Sequence, residues 1–316
     1  ITSGGTQNIS SGGNVFSVRI NDGGTQNISG GFESATLISS GGIQNVSSGG
    51  IASGTQIGGI QNISQGALGL SGTVAAGGIQ NLFGNTINVS AISSSSLVNI
   101  SPLQKESAGI ASGTTVNVGG IQNVYAGGIV ISATISGTEN IFYGGGVVSA
   151  NIHGTQNISY GGGTYLAQIN SGGIQNISSG AIAVATQVNN GGSQNILNSG
   201  LALSGMINSG GIQNISSGGI ANANRINSGG IQNIRNSGLD LGGIIASGGI
   251  QYISAGGMAN ADQISNGGIQ NILSSGAAVG SLINSGGIQY ISSGGITFAT
   301  QINALKRFMA FLVLRD

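Results

Sequence analysis

The chain has no cysteine, no tryptophan, one proline (Pro102) and one histidine (His153) in 316 residues. Without cysteine there is no disulfide framework, no thiolate metal site and no cysteine nucleophile. With one proline, and glycine that does not recur every third position, the chain is not collagen-like. Charged residues make up 4% and the net charge is +0. That leaves no electrostatic footprint for nucleic acid or an anionic membrane. Low charge combined with 39% hydrophobic residues is also unlike a disordered chain. No apolar run reaches the ~18 residues of a membrane helix, so direct membrane insertion is not expected. No basic-plus-apolar leader opens the sequence. It starts in mid-repeat at Ile1-Thr2-Ser3-Gly4-Gly5, which reads as a piece cut from a longer array.

What the chain does have is glycine, 63 residues of it, and a motif that keeps returning. Gly172-Gly173-Ile174-Gln175-Asn176-Ile177-Ser178-Ser179-Gly180 shows it in full. The slot held by Gln175 falls at 7, 26, 44, 61, 80, 98, 122, 139, 156, 175, 194, 213, 232, 251, 270 and 289. Gln fills 14 of these 16 slots, the exceptions being Val98 and Glu139. From Gln156 onward every step is 19 residues. A fixed period near 20 signals a repeat architecture whose rungs touch only their neighbours.

Residues 1–121 are less regular, with first steps of 19, 18, 17 and 19. Leu97-Val98-Asn99-Ile100-Ser101 is a degenerate sixth copy, followed by Pro102-Leu103-Gln104-Lys105-Glu106. Proline and an adjacent Lys-Glu pair suit a projecting loop and not a paired strand, so 102–106 reads as a surface insertion. Residues 122–303 are the regular part. There Leu201-Ala202-Leu203 and Leu239-Asp240-Leu241 alternate with Ile220-Ala221-Asn222 and Met258-Ala259-Asn260, a 38-residue super-period. Residues 304–316 depart from the repeat, hold three of the seven basic residues, and read as a cap or as a foreign segment.

Gly-Gly and Ser-Gly pairs supply tight corners. Between them lie short runs of Ile, Val and Thr, which are strand formers. Short strands with glycine corners at constant spacing make a parallel β-helix, all-β, of about 16 rungs and right-handed, spanning 1–303. Residues two apart in a strand share a face. The slot two after Gln is aliphatic in every copy, for example Ile9, Val46, Leu82, Ile100, Ile177 and Ile291, and is the best core position. The slot thirteen after Gln is a second core column, running Ile169, Val188, Ile207, Ile226, Ile245, Ile264, Ile283 and Ile302. The Gln slot then faces inward. A buried unpaired amide costs ~1–3 kcal/mol. Stacked glutamines avoid this by bonding to one another from rung to rung. Gln156, Gln175, Gln194, Gln213, Gln232, Gln251, Gln270 and Gln289 therefore read as a structural amide ladder, with ligand binding as the other reading. The Asn slot faces out, tolerates Tyr252 and Tyr290, and could ladder in the same way.

Sites for chemistry are sparse. His153 sits in the turn Ile152-His153-Gly154 with no nucleophile or carboxylate nearby in sequence, and reads as a surface turn residue. Glu139 interrupts the Gln column; it reads as an acid accommodated near an edge, or else as a buried carboxyl with a raised pKa. The acids are scattered, and only Asp240 and Asp262, eight and eleven after their Gln, fall within about one rung. No clustered carboxylates suggest a glycosidase. Gly-Lys-Ser/Thr is missing, as is the aspartate of calcium-binding rolls, so no cofactor and no metal are expected. A regular Thr column, which an ice-binding solenoid would need, is also missing. The recurring Asn-Ile-Ser matches a glycosylation sequon, but stacking explains its spacing equally well.

The rung Gly42-Ile43-Gln44-Asn45-Val46-Ser47-Ser48-Gly49-Gly50-Ile51-Ala52, with Thr55 and Ile57, closely resembles the 19-residue repeat of self-associating autotransporter adhesins of the AIDA and TibA type. The resemblance runs to about Asn303. It departs where Leu203 and Leu241 stand in a half that is often richer in Thr. It implies a β-helical passenger at a Gram-negative cell surface, delivered by a C-terminal barrel, and no enzyme. It implies adherence, autoaggregation and biofilm formation through self-association with like passengers and through a host surface or glycan receptor. It also implies a heptosyltransferase partner that O-glycosylates repeat serines, making Ser178, Ser216, Ser254 and Ser292 candidate acceptors; turn formation explains these serines equally well. The competing class is a secreted β-helical protein that binds or cleaves polysaccharide. Convergence of Asp240, Asp262 and Arg225 in one groove would favour it.

Overall fold

The computed structural model describes residues 1–84 and 109–303, together with the backbone of 311–314. It forms two compact units, Ile1–Tyr165 and Leu166–Asp316. Each is an all-β parallel solenoid, and among the described residues there is no helix. Three sheets run along each unit, and every coil contributes one strand to each sheet.

A coil of the second unit shows how the sequence produces this. Ile212–Ile215 lies in the first sheet with Gln213 and Ile215 buried and Ile212 exposed. Ser216 to Gly219 then form a turn closed by Gly219 N donating to Ser216 O at 2.9 Å, with Ser217 (φ 52) and Gly218 (φ 75) at its centre. Two consecutive positive φ angles are the signature of a type I′ turn. Ile220–Asn222 follows in the second sheet, with only Ala221 buried. A single left-handed residue, Ala223 (φ 53), turns the chain into Arg225–Ile226 of the third sheet. Asn227 to Gly230 closes the coil, with Gly230 N on Asn227 O at 2.9 Å and Gly229 at φ 74. The two glycines there serve different needs. Gly229 supplies the positive φ. Gly230 supplies room, since a Cβ on it would fall against the carbonyl of Ile207 one coil below.

Coils stack in register and parallel: Gln213 pairs with Gln232, Ala221 with Asp240, and Ile226 with Ile245. The core is therefore a set of columns. Ile177, Ile196, Ile215, Ile234, Ile253 and Ile272 are each 0% exposed, and Ile207, Ile245, Ile264 and Ile283 form a second column at 0%. Ile302, placed in that column by the sequence, is 49% exposed. Ile100 lies outside the described residues.

Two expectations change. The sequence marks two glycine corners per coil, but the structure has three. The one it hides is the single left-handed residue ten after Gln, held by Ala185, Ser204, Ala223, Gly242, Ala261 and Gly280. The rung count also falls. Ile79–Leu82 pairs directly with Ile121–Val124, and Gln80 stands opposite Gln122. The Val98 copy lies outside the described residues. Among the described residues the second and third sheets each have 15 strands, one fewer than the 16 rungs expected. The expected 102–106 insertion lies outside the described residues. Of the tail, Phe311–Leu314 is a strand paired parallel with Ile288–Ile291, in the place where another Gln strand would come.

Candidate functional site

The inside is organised by one column of amides. In the second unit Gln194 Nε2 donates to Gln175 Oε1 (2.7 Å), Gln213 to Gln194 (2.6 Å), Gln232 to Gln213 (2.8 Å), Gln251 to Gln232 (2.7 Å), Gln270 to Gln251 (2.7 Å) and Gln289 to Gln270 (2.6 Å). In the first unit the same bonds join Gln26 to Gln7, Gln44 to Gln26, Gln61 to Gln44, Gln80 to Gln61 and Gln122 to Gln80. Gln156 donates to Glu139 Oε2 at 2.7 Å. All donors point toward the N-terminal neighbour, so each unit carries a polarised chain of hydrogen bonds.

Four acids lie against this column, each 0% exposed: Glu33, Glu139, Asp240 and Asp262. Glu139 is therefore not an edge residue. It stands in a Gln slot, between Gln122 and Gln156 in register. Burial pushes its carboxyl up to about 7, against a small opposing effect from the Gln156 hydrogen bond. Glu33 is raised by burial and pulled back by hydrogen bonds from Thr36, Gln44 and Thr55. Asp240 is raised well above its ordinary value, first by burial and then by the charge of Asp262 beside it. Asp262 is raised to about 6 by burial, against hydrogen bonds from Gln251 and from the Gly243 amide. So Asp240 and Asp262 do meet, but in the core. Arg225 lies on the outside, its Nε donating to Asn227 Oδ1 at 3.0 Å. The three do not share a groove.

The reason both acids turn inward is the hidden corner. Strand alternation alone would put slots eight and eleven on opposite faces. The left-handed residue at slot ten shifts the phase, so that slots eight, eleven and thirteen all face in. The small residues at slot ten were the signal available in the sequence. The same slot eleven holds Asn224, whose Nδ2 donates to Gln213 Oε1 at 3.3 Å, and Ser281, whose Oγ donates to Gln270 Oε1 at 3.4 Å.

The outside repeats as regularly. Asn side chains form a ladder on the first sheet, for example Asn214 Nδ2 to Asn195 Oδ1 at 3.0 Å and Asn233 to Asn214 at 2.9 Å. A second Asn ladder, not anticipated from the sequence, runs at the third corner from Asn227 to Asn208, Asn189 and Asn170 at 2.8–2.9 Å. The 38-residue alternation falls on the outer face of the second sheet, where Leu203, Asn222, Leu241, Asn260 and Val279 stack in turn. In the first unit the slot three after Gln carries Phe83, Tyr125 and Phe142, stacked at 5.0 and 5.1 Å. His153 is exposed at a corner.

The candidate acceptors Ser178, Ser216, Ser254 and Ser292 occupy that same slot and are half-buried. Their carbonyls accept the closing hydrogen bond of the first corner. The next residue is the exposed one: Ser179, Ser217 and Ser293, with Ala255 in the remaining coil. Ser171, Ser209, Ser228 and Ser247 are likewise exposed at the third corner.

No protein-family model and no curated protein matches the chain. Among solved structures, the fold matches a TibA fragment described as hyper-glycosylated under TibC catalysis. The TM-score is 0.67 at 29% identity, covering 98% of this chain and 98% of that one. The Dettilon tailspike protein aligns at TM-score 0.20 and 14% identity over 93% of this chain and 61% of its own, which carries no argument. The resemblance to AIDA- and TibA-type passengers, first visible in the repeat, thus extends to the three-dimensional fold.

Proposed function

We propose that this chain is the adhesive passenger of a self-associating autotransporter. It acts as a non-enzymatic scaffold at a Gram-negative cell surface, mediating adherence, autoaggregation and biofilm formation, and carries O-linked heptose on corner serines. The observation that carries this reading is the end-to-end match to a TibA fragment that is itself glycosylated. The geometry supports it in two ways. Most coils show solvent the same short set of groups: an Ile, a laddered Asn and an exposed corner serine. Repeated weak contacts along such columns gain avidity without any single strong site. And the acids that would have served a polysaccharide-cleaving enzyme are turned into the core, away from Arg225.

The test is display of the chain on an outer-membrane barrel carrier, with and without a heptosyltransferase of this family. Settling of the cells reports aggregation and intact mass reports sugar. Clumping in at least one arm is expected; dispersed cells in both arms would overturn the adhesin reading. Mass unchanged by the transferase would overturn the glycoprotein reading.

A further inference from the structure

Gln122 and Glu139 face each other in register in adjacent coils. Everywhere else along the first unit's column an amide N–H bridges neighbouring slots at 2.5–2.9 Å. At this joint Gln122 Oε1 and Glu139 Oε1 are both buried and both lack a partner. Glu139 Oε2 already accepts from Gln156. The column's polarity requires slot 139 to donate toward Gln122, and a carboxylate has no hydrogen to give. What is missing is one hydrogen between two buried oxygens.

We propose that Glu139 is a neutral carboxylic acid in the folded protein, with its proton on Oε1 donated to Gln122 Oε1, and that it acts as a pH-sensitive joint in the amide ladder. Protonated, it reproduces what a glutamine does at this position: it accepts on one side and donates on the other. Ionised, it leaves two oxygens facing each other out of water, and the ladder opens at this coil. Unpaired buried groups of this kind weaken the structure locally.

The other way to fill the gap is to reverse the amides from Gln7 to Gln122, so that Gln122 would donate to an ionised Glu139. Amide orientation is assigned from the hydrogen-bond network, and here Glu33 fixes it. Gln44 Nε2 donates both to Gln26 Oε1 (2.7 Å) and to Glu33 Oε2 (3.2 Å). Reversal would set Gln44 Oε1 against the Glu33 oxygen. The surroundings of Glu139 also offer no compensating charge. The inward positions of the other two sheets in these coils are Val130, Val147, Val116, Ile135 and Ile152, all buried and apolar. Among the described residues of the unit's last coils, no other titratable side chain is buried, and His153 is exposed. Burial accordingly raises the carboxyl to about 7.

The sign follows. An acid that holds its proton more tightly when folded stabilises the fold fully below its unfolded pKa, and the effect is lost as pH rises through the folded value. For Glu139 the window runs from its ordinary 4.5 to about 7. A shift of that size corresponds to a change of roughly 300-fold in the unfolding equilibrium.

The experiment uses the full chain and Glu139→Gln, which completes the ladder with an amide and has no proton to lose. Denaturant unfolding is measured at pH 4.5 and pH 8, alongside the ¹³C shift of labelled glutamate side chains across that range. The expected result is that E139Q removes up to about 300-fold of the wild-type pH dependence and is more stable than wild type at pH 8. One glutamate resonance, absent from E139Q, titrates near neutral pH. Identical pH dependence in both proteins, a variant that fails to fold, or a Glu139 resonance that titrates at an ordinary carboxylate pH would each overturn the proposal.

Discussion

Asp240 and Asp262 belong to successive coils and meet on one amide: Gln251 Nε2 donates to Asp240 Oδ2 at 3.1 Å and to Asp262 Oδ2 at 2.6 Å. The same Nε2 also serves Gln232 Oε1 at 2.7 Å. Three acceptors share two hydrogens, and Asp240 Oδ1 has no partner at all. Burial and the neighbouring charge raise both carboxyls, Asp240 well above its ordinary value, so the coupled pair retains a proton where exposed carboxyls have lost theirs.

This makes the second unit sensitive to alkali. Both carboxyls bind their protons more tightly when folded, so their contribution is complete below pH ~4 and declines as pH rises through about 6, the value of Asp262. Asp240→Ala restores the residue found at this slot in Ala202, Ala221, Ala259 and Ala278. At pH 8 that variant is expected to be more stable than wild type by about 1–3 kcal/mol, the cost of a poorly satisfied buried polar group. At pH 4.5 the gain should shrink. Chemical denaturation at the two pH values checks this, and a D240A protein less stable at pH 8 would show that the pair is net favourable.

The amide column itself is expected to be worth more than its outward counterpart. Gln61→Leu strands two buried groups, Gln44 Oε1 and Gln80 Nε2. Each costs about 1–3 kcal/mol, so a loss of about 2–6 kcal/mol is expected. Asn62→Leu breaks the half-buried ladder between Asn45 and Asn81, where water can replace the lost partner. The expected loss there is under about 1 kcal/mol. Equal effects in thermal or denaturant unfolding would mean that burial is not what gives the inner ladder its weight.

Much of this was legible in the sequence because stacking in register turns a period into a column. Ile177 and Ile207 could be assigned to the core from spacing alone, since every coil repeats the same choice. The inward direction of Gln175 followed from Ile177 two residues on. What could not be read was anything set by the second corner. Ala223 and Ala261 carry positive φ with ordinary side chains, a conformation that L residues rarely adopt, and glycine takes the place only in some coils, as at Gly242 and Gly280, so the corner does not stand out as a glycine column. Missing it hid the change of phase that brings Asp240 and Asp262 together. The step from Gln80 to Gln122 was likewise hidden: 42 residues apart in sequence, the two stand directly opposite each other.

The paired glycines at the third corner separate into two kinds of cost. Gly229→Ala places alanine at φ 74 with its Cβ near Ser209 Oγ. Left-handed strain of about 1–2 kcal/mol is expected there, comparable to what Ala223 already bears. In Gly230→Ala the methyl group meets the Ile207 carbonyl and the Asn227 carbonyl, which are backbone and cannot swing away. The coils would have to separate locally, and a loss above about 3 kcal/mol is expected, at the severe end for a single substitution. Melting of the two variants side by side distinguishes the roles; if Gly229→Ala is the worse, conformation and not close approach decides the motif.

Serine exposure predicts where sugar goes if the chain is modified as proposed. Ser216 is half-buried and its carbonyl closes the first corner, whereas Ser217 is exposed at φ 52 in the middle of the same turn. A transferase must bring its donor sugar to the hydroxyl, so the open side chain is the accessible one. With the transferase co-expressed, Ser217→Ala is expected to carry one sugar equivalent fewer than wild type and Ser216→Ala almost the same number, read by intact mass. Ser179 and Ser293 should behave like Ser217, while the coil with Ala255 at that position carries no sugar at its first corner. Because Ser217 is already in a strained conformation that alanine adopts at Ala255 (φ 48), the substitution should leave stability within about 0.5 kcal/mol. A mass loss confined to Ser216→Ala would mean that the transferase reaches the half-buried slot and that the corner opens when it binds.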